Sequence, residues 1–190
     1  MFSRAIEQAL RVALEAHDGQ WRKGIDKIPY IAHPFHVALL LARWNHDDAV
    51  IQAALLHDVV EDCEEWTLDR INQEFGPRVA GIVAELTEDK SLSWEERKSH
   101  AVQQVPRLSP DAAVVKCMDK QHNLESLLDD LKRTGDPDEL WSRFRGGRDG
   151  TMAQSEALVV ALELRVDPRM ARALRKTFDE LQEHVAASKA

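Results

Sequence analysis

Residues 49–60 read AVIQAALLHDVV. At 100° per residue this segment is apolar almost all the way round, and such a helix has to be covered by other elements on every side. It therefore demands a core helix in a jacket that the rest of the chain supplies. The same helix carries His57 and Asp58 inside its apolar run, with Glu61 and Asp62 directly after. His57 and Glu61 share one line along the helix and Asp58 and Asp62 the next, so three carboxylates and an imidazole face one way. No Lys or Arg occurs between Asp48 and Arg70, and buried carboxylates without a cation are costly. A bound metal ion is the simplest missing cation. For Glu61 and Asp62 alone, a solvated helix end is the competing reading.

The jacket also reads as helical, and no segment reads as a strand. Ile6, Leu10 and Leu14 recur at four-residue spacing in a first helix ending near Asp18 and Gly19. A polar loop over 20–32 leads to a second helix that begins at Pro34, with Val37, Leu40, Leu41 and Trp44 inward. Asp47 or Asp48 caps the apolar helix, which runs to about Glu61. Thr67 opens a short helix closed by Gly76, and the next covers about 77–88. Ser93-Trp94-Glu95-Glu96 fits a capping box. Ser109-Pro110 opens a long helix through Leu131, stopped by Gly135. Asp136-Pro137 and Asp167-Pro168 open two more, with glycines 146, 147 and 150 marking a mobile loop between them. The expected fold class is all-α, a single-domain bundle of about ten helices over 1–190, its motif-bearing part at about 1–161 and its C-terminal helix at about 168–188.

A chain of 190 residues suffices for one sizeable core. The formal charge of −8 argues against nucleic acid as a partner but leaves room for a small anionic substrate held by a local cluster of cations. Cys63 and Cys117 suit free thiols in a reducing compartment. No apolar run approaches the ~20 residues of a membrane span, and the first ten residues, with Arg4 and Glu7, lack a signal-peptide core. The expectation is a cytoplasmic protein with no membrane partner and an oligomeric state left open.

Other segments offer further ligands. His33 precedes Pro34, which biases its backbone away from helix and places it in the loop at a helix start. On the long helix Asp119 and Asn123 share a face, close to an apolar stripe of Val114, Val115, Met118, Leu124, Leu127 and Leu128. His122 competes as a ligand on spacing, but His36, His46 and His122 read most simply as surface or packing residues. Two imidazoles and two carboxylates suit a six-coordinate ion such as Mn²⁺ or Fe²⁺, not the thiolate-rich pattern of structural zinc.

Four ordered pieces stand out: Arg22-Lys23-Gly24, Pro29-Tyr30-Ile31-Ala32-His33-Pro34, His57-Asp58-Val59-Val60-Glu61-Asp62 and Lys116-Cys117-Met118-Asp119-Lys120-Gln121-His122-Asn123. Together they resemble the HD-domain phosphohydrolases, and more narrowly the hydrolase domain of the RelA/SpoT alarmone enzymes and the stand-alone small alarmone hydrolases. The resemblance implies an HD-type fold and one Mn²⁺ held by His33, His57, Asp58 and Asp119. It implies that Glu61 and Asp62 orient or activate the attacking water, and that Arg22, Lys23, Asn123 and Arg148 line the nucleotide pocket. The implied reaction removes the 3′-pyrophosphate of (p)ppGpp, giving GDP or GTP plus pyrophosphate. Lys90 and the pair Arg97-Lys98 match a basic stretch of the family, which surface solubility also explains.

The chain departs from the family pattern in places. Met152 stands at a commonly aromatic position of the nucleotide pocket, Lys120-Gln121 replaces a more usual Arg-Leu, and the three glycines leave the register of Arg148 open. No synthetase or regulatory segment is expected. These departures leave two other readings standing: hydrolysis of another nucleotide, such as (p)ppApp or NADPH, and a catalytically inactive nucleotide-sensing module. The full set His33, His57, Asp58, Glu61, Asp62 and Asp119 disfavours the inactive module.

Overall fold

The computed structural model describes residues 3–187. Among them the chain forms eleven α-helices and one 3₁₀ turn, and no strand beyond an isolated bridge between Trp21 and Pro29. The apolar segment becomes α3 (Asp48–Leu56), buried over every residue from Val50 to Leu56. Its jacket comes from α1 (Arg4–Ala16), α2 (Ala32–Arg43), α6 (Pro77–Leu86) and α8 (Pro110–Arg133), all of which pack on it. Asp47 is the residue that caps α3, its Oδ1 accepting the N–H groups of Ala49 and Val50. The polar Gln52 is accommodated by donating to the Ala5 carbonyl at 3.0 Å.

The expected continuous helix through Glu61 is broken at His57–Asp58, and α4 (Val59–Asp62) follows. The cause is local. His57 Nδ1 donates to the Ala54 carbonyl at 2.7 Å, the acceptor a regular helix offers to the N–H of residue 58. The start of α2 also differs from expectation. His33 lies in the first turn of the helix, not in the loop before it. The first four N–H groups of a helix have no intrahelical acceptor, so Pro34 loses nothing there. The N–H groups of Ala32 and His33 bond back to Pro29 and Tyr30 at 3.1 and 2.9 Å.

The remaining boundaries follow the caps: α5 (Leu68–Phe75) after Thr67, α7 (Trp94–Gln104) with its capping box, α8 after Ser109, α9 (Pro137–Ser142) after Asp136. Then come α10 (Gly147–Glu163) and α11 (Pro168–Ala187), with the expected end at Ser188 lying outside the described residues. Two expectations about packing change. α1 docks through Ala9, Val12 and Ala13, leaving Leu14 48% exposed. The glycines form no free loop: Gly147 and Gly150 belong to the first turn of α10. A Cβ on Gly146 would come within 2.7 Å of Trp94 Cζ2, so the bare backbone there seats the indole at the start of α7. Cys117 is buried, Cys63 is half-buried and both are free. No helix among the described residues is long and apolar enough to cross a membrane.

Candidate active site

Beside the break after α3 opens a cleft of about 690 Å³, lined from α2, α4, α8, α10 and the loops near 21–30 and 86–90. Its floor brings together four of the sequence-derived candidates. His33 Nε2 stands 3.2 Å from Asp119 Oδ1 and 3.7 Å from Asp58 Oδ2. His57 Nε2 lies 3.2 Å from Asp58 Oδ2. One donor atom from each of His33, His57 and Asp58 falls within 4.8 Å of the others. Asp119 joins that group through His33.

The set fits a divalent cation. His57 Nε2 is buried and aligned to no hydrogen-bond partner, a state that ordinarily costs about 1–3 kcal/mol. Its other nitrogen is committed to Ala54, so Nε2 is the atom left for a ligand bond. Mixed nitrogen and oxygen donors suit a divalent first-row ion or Mg²⁺ better than a thiolate-seeking one.

Each donor residue is aimed by one neighbour, as ligands of metal sites usually are. Tyr30 donates its hydroxyl to Asp58 Oδ2 at 2.7 Å. Asn123 Nδ2 donates to Asp119 Oδ1 at 2.6 Å. His33 Nδ1 meets His122 Nδ1 at 2.8 Å. Burial outweighs the nearby carboxylates and holds His33 below its usual range, so it is neutral near pH 7. Burial also pushes Asp119 upward, but the bond to His33 and the charge of Lys116 prevail and hold it well below the usual carboxylate range. Tyr30, driven up by burial and by Asp58, keeps its proton to donate.

The acidic pair is less bare than the sequence suggested. Asp62 Oδ1 pairs with Lys90 Nζ at 2.7 Å, and Glu61 Oε1 stands 3.8 Å from Arg97. Both cations lie beyond α6, well past the stretch between Asp48 and Arg70 that lacks Lys and Arg. Glu61 Oε2 also accepts the Glu88 N–H at 3.2 Å. Burial first, then Glu88, raises the pKa of Glu61. Among the described residues Asp58 pairs with Tyr30 and the two histidines, none of them a Lys or Arg.

Of the expected pocket residues, Arg22 donates to Asn123 Oδ1 at 3.2 Å and so connects the Arg22–Lys23 loop to α8. Lys23 is exposed on the rim. Arg148 turns to Asp149 at 2.9 Å and is not among the cleft's lining residues, whereas Arg145 is. The two arginines flank the Gly146–Gly147 pair, and sequence gives no signal for choosing between them. Tyr30 and His122 were also missed as site residues. His122 was assigned to surface or packing, although its i,i+3 spacing from Asp119 already put it near the site. Lys120 donates to Ser155 Oγ at 2.8 Å, and burial pulls its pKa down to about 8.

Comparison with known proteins agrees with this geometry. A family model described as HD domain matches residues 9–152. The chain is 44% identical over 142 residues to the guanosine-3′,5′-bis(diphosphate) 3′-pyrophosphohydrolase MESH1 of Xenopus tropicalis, covering 74% of this chain and 75% of that one. It is 44% identical over 122 residues to the Homo sapiens protein of the same name, covering 63% and 68%. A solved structure, described as a metazoan ortholog of SpoT that hydrolyzes ppGpp and plays a role in starvation responses, superposes with a TM-score of 0.81. It has 31% identity, over 95% of this chain and 97% of that one.

Proposed function

The chain belongs to the HD domain family, and from that premise we propose that it is a metal-dependent hydrolase of guanosine 3′,5′-bis(diphosphate), releasing pyrophosphate from the 3′ position. The observation that carries the reading is the distribution of charge in one cleft. An acidic floor of Asp58, Asp119, Glu61 and Asp62 shares the cleft with Arg22, which reaches Asn123 beside Asp119, and with Lys90 and Arg97, which pair with Asp62 and Glu61; Lys23 and Lys98 also line it. That arrangement suits a nucleotide with phosphates at two ends and the bond to be broken near the middle. The names of the MESH1 relatives support the same substrate.

His33, His57, Asp58 and Asp119 would hold the ion, with Mn²⁺ the proposed identity and the whole chain acting as one hydrolase unit. A divalent ion there supplies a Lewis acid that polarises a phosphoryl oxygen and acidifies water. The protein does the rest. Water's oxygen bonds to the phosphorus attached to the ribose 3′-oxygen, that P–O bond breaks, and the ribose oxygen gains a proton. Glu61 takes the proton from the water at a carboxylate oxygen, and its raised pKa brings it nearer the working range of a base. Asp62, tethered to Lys90, orients the water beside it. Arg22, Lys23, Asn123 and Arg145 hold phosphate oxygens, arginine by charge-assisted paired bonds.

Product analysis tests the reading. Purified protein with Mn²⁺ should convert ppGpp to GDP and pyrophosphate, faster than it turns over ppApp or NADPH. Rapid turnover of either of those with no GDP from ppGpp would replace the substrate. No turnover of any of the three, with Mn²⁺ bound, would favour a sensing module.

A further inference from the structure

We propose that His122, backed by Ser126, is the acceptor that holds His33 with its hydrogen on Nδ1 when a cation takes His33 Nε2. The inference rests on the metal reading above and adds a positioning residue to it. His33 Nδ1 and His122 Nδ1 are 2.8 Å apart. Two nitrogens at that distance share one hydrogen, so one ring donates and the other accepts.

Two neutral arrangements satisfy the pair. In the first, His33 carries its hydrogen on Nδ1 and donates it to His122, and the His33 Nε2 lone pair points toward Asp58 and Asp119. His122 then carries its own hydrogen on Nε2, which lies 3.4 Å from Ser126 Oγ, one turn further along α8. In the second, His122 donates from Nδ1, and His33 carries its hydrogen on Nε2, 3.2 Å from Asp119 Oδ1. That form makes a good hydrogen bond but cannot act as a ligand, because the nitrogen facing the site is already protonated.

Ligand histidines are ordinarily backed by a carboxylate or a backbone carbonyl, which can only accept and so permits only the first form. An imidazole can do either. His122 accepts only when its own hydrogen sits on Nε2, and Ser126 Oγ at 3.4 Å can take that hydrogen; because a hydroxyl can also donate, it is the cation at His33 Nε2 that sets the direction and His122 with Ser126 that follows it. The arrangement is set within α8 itself: Asp119, His122 and Ser126 follow at helical spacing, and the ring of His36 on α2 lies against His122 with centroids 4.5 Å apart, limiting its rotation.

The test uses Mn²⁺ alone as probe, with affinity read from the electron paramagnetic resonance of the free ion, plus nitrogen–proton correlation spectra of the imidazoles with Zn²⁺ as a diamagnetic probe. His122→Leu should weaken Mn²⁺ binding by about 10–100-fold. His122→Asn, whose amide oxygen accepts, should recover most of that loss, and Ser126→Ala should produce a smaller loss of the same sign. The wild-type spectrum should show His33 protonated on Nδ1 when the cation is bound. If His122→Leu does not fold, the Asn and Ala variants and the wild-type spectrum decide. Equal Mn²⁺ affinity in wild type and His122→Leu, a His122→Asn variant that binds Mn²⁺ no better than His122→Leu, or equal affinity in wild type and Ser126→Ala overturns the inference, as does a cation-loaded His33 without a hydrogen on Nδ1. Wild-type protein that binds no Mn²⁺ overturns the metal reading beneath it.

Discussion

On the floor of the cleft His33 and His57 are 1% and 4% exposed, and His57, Asp58, Asp119 and His33 are each aimed by a named neighbour: Ala54, Tyr30, Asn123 and His122. On the walls Lys23, Lys90 and Arg145 are exposed, and the cations of the α7 side share carboxylates, with Arg97 and Lys98 both on Glu88. On the floor each donor side chain is held by a buried hydrogen bond, so moving one breaks a bond that water cannot readily replace. The exposed wall cations Lys23, Lys90 and Arg145 can re-pair at little cost, because exposed ion pairs contribute about 1 kcal/mol or less, whereas Arg97 and Glu88, 17% and 11% exposed, are held more firmly. On the proposed reading, chemistry rests on the buried part and substrate preference on the exposed one.

The largest expected effect comes from breaking the floor. Asp119→Ala should abolish cation binding and bring turnover down to the level seen in excess chelator. It also strands Lys116, which is 12% exposed and 3.7 Å from Asp119, so the metal-free fold should lose about 3 kcal/mol. Metal analysis and thermal melts check both halves. Retained metal in this variant would remove Asp119 from the ligand set.

Glu61→Gln sharpens the line between floor and reaction. Metal content should hold while kcat falls by roughly 10²–10⁴-fold, with a smaller change in KM. Its effect on stability has a defined sign. Burial raises the folded-state pKa of Glu61 above its unfolded value, so the ionised group weakens the fold above the unfolded pKa and has no effect once both states are protonated. In excess chelator the Gln variant should therefore melt higher than wild type at neutral pH. The gap should close as pH falls below about 4, the ordinary glutamate range. A gap that widens toward acid would contradict the buried placement of Glu61.

Wall variants should do less. Arg145→Ala should raise KM roughly tenfold, the loss of one charge-assisted contact of about 1.5 kcal/mol, while Arg148→Ala should leave KM within about twofold, as expected when an exposed pair is removed. The reverse order would restore Arg148, the arginine that the family resemblance implies. Gly146→Ala is the smallest change: the added Cβ presses on Trp94, and overpacking should lower stability by about 1–3 kcal/mol while metal affinity stays unchanged.

Sequence resolved the floor far better than the walls, for a physical reason. An apolar helix that carries His57 and Asp58 is a contradiction visible within a dozen residues, and the caps at Thr67, Ser93, Ser109 and Asp136 are equally local. The break after α3 was hidden because it depends on where the His57 ring donates. The cations that meet Glu61 and Asp62 were hidden because Lys90 and Arg97 arrive from beyond α6, and the glycine pair between Arg145 and Arg148 gives no local signal of which one lines the cleft. His33 reads as a loop residue because of the pre-proline bias, a steric preference that the first turn of α2 overrides, while Pro34 itself costs that turn no hydrogen bond.

The central claim is that one buried divalent-cation site on the floor drives hydrolysis of the guanosine substrate. Titrating metal-depleted protein with Mn²⁺ while measuring GDP formed from ppGpp tests it most directly. Turnover should be absent without metal and should rise to a plateau at about one ion per chain, the single site that the four donors can form. Full GDP formation in excess chelator, with no metal bound, would contradict the account.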